Sequence, residues 1–367
     1  MNTFNDYSQF YSEDSKSEHA HSSYVSNRSK VKNLVKAFGK REISDIKHSE
    51  IKGWKRKVDN KLSNKSINDH FSILRKIFKI AMNDGVITIN PMQDIDTLPV
   101  HKTEPNPFDK NELIALKNTD TDFVSEKNSV FFGVLSGLRP CENLALSWDC
   151  VDFDKGEIQV NKAIVLGKYK LPKTKQSIRT VELNAHAIKI LKEQFEITGH
   201  LKSRVIRVLQ NDNKTKIKQS VQHVFVSSIT NKPFRDVKEF TTTFFTDFLR
   251  KANVKKRGAN QVRHTFASQS LVAGISMEWI RIQMGHTTTH MIEKHYGKWM
   301  NADAPDYSQK LGEALGSVFD SSVIPGNFSK STVSPVTSSW ADISERKSTT
   351  GGFVHLKTDK RKVSRCA

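Results

Sequence analysis

The stretch "LSGLRPCENLALSW", residues 135–148, decides how this chain is read. Arg139 stands directly before Pro140, and a proline at the first position of a helix is a start signal. Arg139 then sits at a helix N-terminus, where main-chain amides and the macrodipole favour an anion. A guanidinium there can hold two phosphate oxygens at once. Glu142, one turn into the helix, can buttress it. The same residues also fit a surface arginine that caps a loop, so the stretch needs partners elsewhere in the chain.

Three further stretches supply candidates. In "LPKTKQSIRTVEL", residues 171–183, Lys173 and Lys175 fall in a turn between two strand-like runs, with Arg179 beyond them, and Lys175 and Arg179 are candidate DNA contacts. A lysine at a hairpin tip can reach a DNA groove or give a proton to a leaving oxygen, and exposed basic hairpins are also common. In "GANQVRHTFASQSLVAG", residues 258–274, Arg263 and His264 open a helix. A second arginine can complete a phosphate clamp, whereas His264 fits a packed core histidine better than a ligand. In "QMGHTTTHMIEKHYGKWM", residues 283–300, Tyr296 follows His286 by ten residues. A phenol is a poor nucleophile at its free pKa of about 10. It needs an electropositive, desolvated setting to attack a phosphate.

The totals agree with a polyanionic partner. The chain has 367 residues and a formal net charge of +19. Such a surplus repels itself in the folded state but suits nucleic acid. The three cysteines form neither a CxxC pair nor a zinc-spaced cluster, which points to a reduced intracellular protein without disulfides. The polar N-terminus has no signal-peptide character, and no run approaches the roughly 20 apolar residues of a membrane helix.

The expected organisation has five parts. Residues 1–22 are Ser-rich and read as a flexible tail. Residues 23–97 read as a helical domain, with its clearest helix starting at Ser66, capped by Ser66 and Asp69. On this helix Arg75, Lys76 and Lys79 lie mostly off the apolar stripe and are candidate DNA contacts. Residues 98–108 carry Pro99, Pro105 and Pro107 and read as a linker. A capping box of Asp109 and Glu112 then opens a domain over 109–312. It holds the apolar helix "VFFGVLSG", a short antiparallel sheet within 151–184, and helices near 184–197, 238–252, 262–273 and 276–284. Residues 313–367 are polar, lack periodicity and read as disordered.

Taken in order, "SGLRPCENLALSW", "PKTKQSIRTVEL", "VRHTFASQSLVAGISMEWIRIQMGH" and Tyr296 resemble the catalytic domain of the tyrosine recombinases, the phage integrase family. Residues 24–97 resemble the helical core-binding domain that precedes it. The resemblance implies a mainly α fold with a small antiparallel sheet, and two domains closing as a C-shaped clamp on double-stranded DNA. It implies a site-specific recombinase that needs no metal or other cofactor. Arg139 and Arg263 would hold the scissile phosphate and His286 would hydrogen-bond it. Lys173 would protonate the leaving 5′ oxygen, and Tyr296 would form a 3′-phosphotyrosine. Asn260 stands where the family commonly has a histidine, and an amide cannot take a proton near neutral pH. Implied partners are the attachment sites, three further protomers in a synaptic tetramer, a DNA-bending host factor and an excisionase, at the bacterial nucleoid. Alternatives are a Xer-like resolvase, a DNA invertase, or a DNA-binding regulator that has lost catalysis.

Overall fold

The computed structural model describes residues 2–293 apart from 19, 102, 173–176 and 291. Lys173, Lys175, Tyr296 and the C-terminal tail therefore lie outside the described residues.

The N-terminal segment is not a tail. Residues Phe4–Glu18 form helix α1, which packs on α2 (His21–Phe38) and α4 (Asn64–Asn83). Phe4, Tyr7, Ser8, Tyr11 and Ser15 recur at helical spacing, and all are buried. Phe4 meets the rings of Phe38 and Phe78 at 5.6 and 6.0 Å. The serines fit because their hydroxyls bond back to the helix, as Ser8 does to the Asn5 carbonyl. With α3 (His48–Val58) these helices close one core, centred on Ile51, Phe71, Leu74, Ile77 and Phe78. Helix α4 starts earlier than its sequence suggested. Ser63 is its cap and accepts from the Ser66 amide, so Ser66 lies inside the helix.

Arg75 is also placed differently. Its guanidinium donates to the carbonyl of Ile95, clipping the segment after α4 onto the helix, while Lys76 and Lys79 are exposed. The proline-rich stretch ends inside the next core. Phe108 is fully buried, its amide donates to Thr265 Oγ1, and Arg257 covers its ring at 4.5 Å. Helix α5 (Lys110–Asn118) follows with the Asp109–Glu112 capping box formed.

The remainder is mainly helical with small sheets. Helix α6 (Val124–Ser136) is central, packed by α8 (Ala185–Thr198) and α11 (Asn260–Val272). The β residues form two sheets rather than one. Strands β1 (Val151–Asp152), β2 (Glu157–Val160) and β5 (Arg179–Glu182) are antiparallel. Strands β3 (Ala163–Val165), β4 (Lys168–Lys170), β6 (Arg204–Leu209) and β7 (Lys216–Val221) form the second sheet, in which β4 and β6 run parallel. The expected helix near 238–252 is three pieces: α9 (Val237–Phe240), a π turn over Thr241–Phe245, and α10 (Thr246–Lys251). The hydroxyls of Thr241, Thr242 and Thr243 bond carbonyls one turn back and loosen the ladder there. None of the described helices is long and apolar enough to cross a membrane.

Candidate active site

Two glycines aim the site. Helix α6 stops because Gly137 adopts φ 66°, the left-handed conformation that glycine takes without strain. A Cβ there would lie 2.5 Å from the ring of Phe266. The chain turns and presents Arg139 as the cap of the four-residue helix α7 (Pro140–Asn143), with Pro140 at its first position. Gly285, at φ 64°, ends α12 (Met277–Met284) in the same way and presents His286.

Glu142 organises the arginines. Its carboxylate takes Arg139 Nη1 at 2.6 Å and Arg179 Nη2 at 3.0 Å. Burial opposes the charge on Glu142, but Arg179, Arg139 and Arg263 outweigh it and hold the carboxyl below its usual range. Arg179 was expected to meet DNA. It is instead 8% exposed and wholly engaged inside the protein. Besides Glu142, its Nε donates to the Gln283 carbonyl at 2.6 Å and its Nη1 to the Ser177 carbonyl at 3.1 Å. Arg179 thus ties α7 to the end of α12, one turn from His286. As the first residue of β5 it turns inward in the alternation of the strand, whose burial runs in, out, in, out.

Arg263 lies on α11, also buried. Its Nη1 donates to the Gly137 carbonyl at 2.6 Å and its Nη2 to the Met284 carbonyl at 2.7 Å. One guanidinium therefore clamps both glycine turns. His286 is pushed down to about 3 by burial first, then by Arg263, Arg139, Arg179 and His264. It is a neutral imidazole at physiological pH, and Nδ1 is buried without a hydrogen-bond partner among the described residues. Arg139, Glu142, His286, Cys141 and Lys170 line one cavity of ≈ 530 Å³. Burial raises the Cys141 thiol, with Glu142 adding to it, so the thiol stays protonated. Three guanidiniums around one carboxylate leave a net positive, partly desolvated pocket suited to an anion with several oxygens.

Of the expected residues, the fold brings Arg139, Arg263 and His286 together. Asn260 is exposed on the first turn of α11, one turn ahead of Arg263. Residues 106–301 match the phage integrase family model, and residues 3–98 match the phage integrase SAM-like domain. The chain belongs to the phage integrase family. It is a site-specific tyrosine recombinase.

Relatives of this integrase include prophage integrase IntR of Escherichia coli, 30% identical over 71% of this chain and 67% of that one. The ICEBs1 integrase of Bacillus subtilis is 26% identical over 77% of this chain and 75% of its own length. A XerC-like tyrosine recombinase of Caldanaerobacter subterraneus is 28% identical over 69% of each. Among solved structures, the Tn1549 transposon integrase in complex with a circular intermediate DNA superposes with TM-score 0.67 at 19% identity. It covers 86% of this chain and 99% of that one. A lambda integrase dimer bound to a core site gives 0.62 at 14% identity, covering 80% and 95%. The match over residues 3–98 takes α1 into the integrase's N-terminal domain, where its buried aromatics had already placed it. Two residues of this integrase's site escaped sequence reasoning. Arg179 read as solvent-facing because its partner Glu142 is 37 residues away. Gln283, 2% exposed, uses its carbonyl for Arg179 and its side chain for the Glu182 amide. No local pattern announces either contact.

Proposed function

We propose that the cavity at Arg139 receives the scissile phosphate of a duplex DNA attachment site, and that Tyr296 is the nucleophile. Arg139 and His286 line one cavity, and the buried charge of Arg263 acts on His286 beside it; this pairing carries the reading. The Tyr296 hydroxyl attacks phosphorus in line and gives up its proton to water. The bond to the 5′ oxygen breaks as the 3′-phosphotyrosine bond forms, and Lys173 gives that oxygen a proton. Rejoining reverses these steps with a new 5′ hydroxyl, and the phosphotyrosine conserves the bond energy. Charge grows on the non-bridging oxygens. Arg139 and Arg263 stabilise it from fixed positions, and removal of one such donor costs about 10²–10³ in rate. Neutral His286 contributes an N–H rather than a charge. Asn260 can donate to a phosphate oxygen but not accept the phenol proton, so attack depends on the arginine field and not on a base at that position.

The substrate is the pair of attachment sites of a phage or other mobile element, which the protein integrates and excises as a tetramer. Supporting this, the relatives include a prophage integrase and the ICEBs1 integrase, and a lambda integrase tetramer of the same fold was solved on a Holliday junction, TM-score 0.62. The 28% identity to a XerC-like recombinase keeps resolution of dimers as a second reading. A nicked duplex carrying the attachment site separates catalysis from binding. In EDTA, wild type is expected to form a covalent protein–DNA band and Tyr296→Phe none. A shifted but never covalent wild-type complex would overturn the catalytic reading, and Asn260→His would then be tried for rescue.

A further inference from the structure

The second sheet carries a surface that the catalytic chemistry does not use. The hairpin β6–β7 joins the sheet through β4, with Lys170 opposite Leu209. It then pairs Leu209 with Lys216 and Arg207 with Lys218. Paired residues share a face and alternate residues along a strand do too, so Lys168, Lys170, Arg207, Lys216 and Lys218 all stand on one face. The opposite face buries Ile206, Val208 and Val221, which fixes the hairpin to the domain.

Two features point to a polyanion on the basic face. Arg207 and Lys218 are exposed and directly paired, an arrangement that like-charge repulsion disfavours in the free protein. The face is also continuous with the candidate active site. Ala163, Val165 and Lys170 line the Arg139 cavity. Lys168, Arg207, Lys216 and Lys218 line a neighbouring cavity of ≈ 880 Å³, whose far wall includes Lys16 at the end of α1. No carboxylate is among the described residues lining it.

We propose that the β6–β7 hairpin is a DNA-tracking arm, whose basic face grips the phosphate backbone of the duplex flanking the cleavage point. This rests on the reading that the Arg139 cavity holds the scissile phosphate. A duplex engaged there meets the same sheet face as it leaves, and Lys16 closes on it from the other side.

The test uses the full chain with Arg207, Lys216 and Lys218 replaced by alanine together. All three are exposed, and an unchanged thermal midpoint verifies the fold. Affinity for a long attachment-site duplex is measured from 50 to 300 mM salt. Three lost phosphate contacts lower the slope of log K against log salt by about 2.7, and weaken binding roughly 10²–10³-fold at 0.1 M. Trimming the flanks from the duplex should shrink the deficit, and Lys216→Glu with Lys218→Glu should deepen it. Wild-type affinity and slope in the triple variant overturn the arm. Loss of tetramers with DNA affinity intact also overturns it, in favour of a surface for a second copy of the chain. The active-site reading fails separately, if Arg139→Ala still forms the covalent complex at the wild-type rate.

Discussion

Replacing Arg179 with lysine keeps the charge and removes the fork, which makes it the sharpest probe of how the site is held. The guanidinium makes three bonds, to Gln283, Ser177 and Glu142, at 2.6, 3.1 and 3.0 Å. A lysine ammonium on its own stem can hold one of these directions. A hydrogen bond involving a charged group contributes about 1.5–3 kcal/mol, so losing two costs at least about 3 kcal/mol before relaxation. Glu142 keeps Arg139 as a partner, so its charge is not stranded, but α7 is no longer tied to the end of α12. A misaligned Arg139 and His286 should slow phosphotyrosine formation by about 10–10²-fold, equivalent to roughly 1.4–2.7 kcal/mol. Single-turnover cleavage of a nicked duplex at saturating protein measures this, with DNA affinity followed in parallel against salt. The affinity and its salt slope are expected to stay at wild-type values, since the side chain is buried. An unchanged rate with weakened DNA affinity would make Arg179 a phosphate contact, its fork lost with the charge kept, and refute the positioning role.

Gly137→Ala drives a Cβ to 2.5 Å from Phe266 at φ 66°; it should destabilise by about 1–3 kcal/mol in urea denaturation and slow cleavage as Arg139 shifts. Phe4→Ala, in a side chain with no exposure, should cost about 3–5 kcal/mol. Limited proteolysis should then cut within the first 100 residues, whereas a dispensable tail would leave the pattern unchanged. Burial, aided by Lys162 and Arg204, pushes His223 down to about 4. Its neutral form is what the fold holds, through a 2.7 Å bond with Tyr169. Its contribution is complete above about pH 6.5 and falls by about 1.4 kcal/mol per unit as pH drops from there toward 4. Thermal melts between pH 7.5 and 5 should show this loss, and His223→Gln should reduce it, leaving the part due to His286; a protein that gains stability on acidification would contradict it.

Much of the fold is written in local signals. Helices such as α4 and α8 carry apolar stripes and end at glycine or polar punctuation, and the Asp109–Glu112 box marks a true helix start. Two things were hidden. Helix α1 is polar in composition, so three aromatics at helical spacing passed for a tail; periodicity was the better guide there than content. The hairpin β6–β7 was also missed. Its outward face is basic rather than uniformly polar, and its partner β4 is nearly 40 residues upstream. A parallel pairing over that distance leaves no turn signature to read.

The site divides along the same line between local and long-range causes. "SGLRP" and "QMGH" each place a glycine at a helix end, just before a residue that faces the cavity, and both turns form as that chemistry demands. What holds the two turns at one spacing is Arg263, which donates to the Gly137 carbonyl 126 residues away and the Met284 carbonyl 21 residues away. Sequence reasoning assigned this arginine to phosphate alone. In the fold it also fixes where Arg139 and His286 begin. A lysine there loses the fork that spans both carbonyls as well as any bidentate grip on the phosphate. The rate lost in Arg263→Lys is therefore the cost of a clamp and a contact together, and exceeds what one phosphate donor alone contributes.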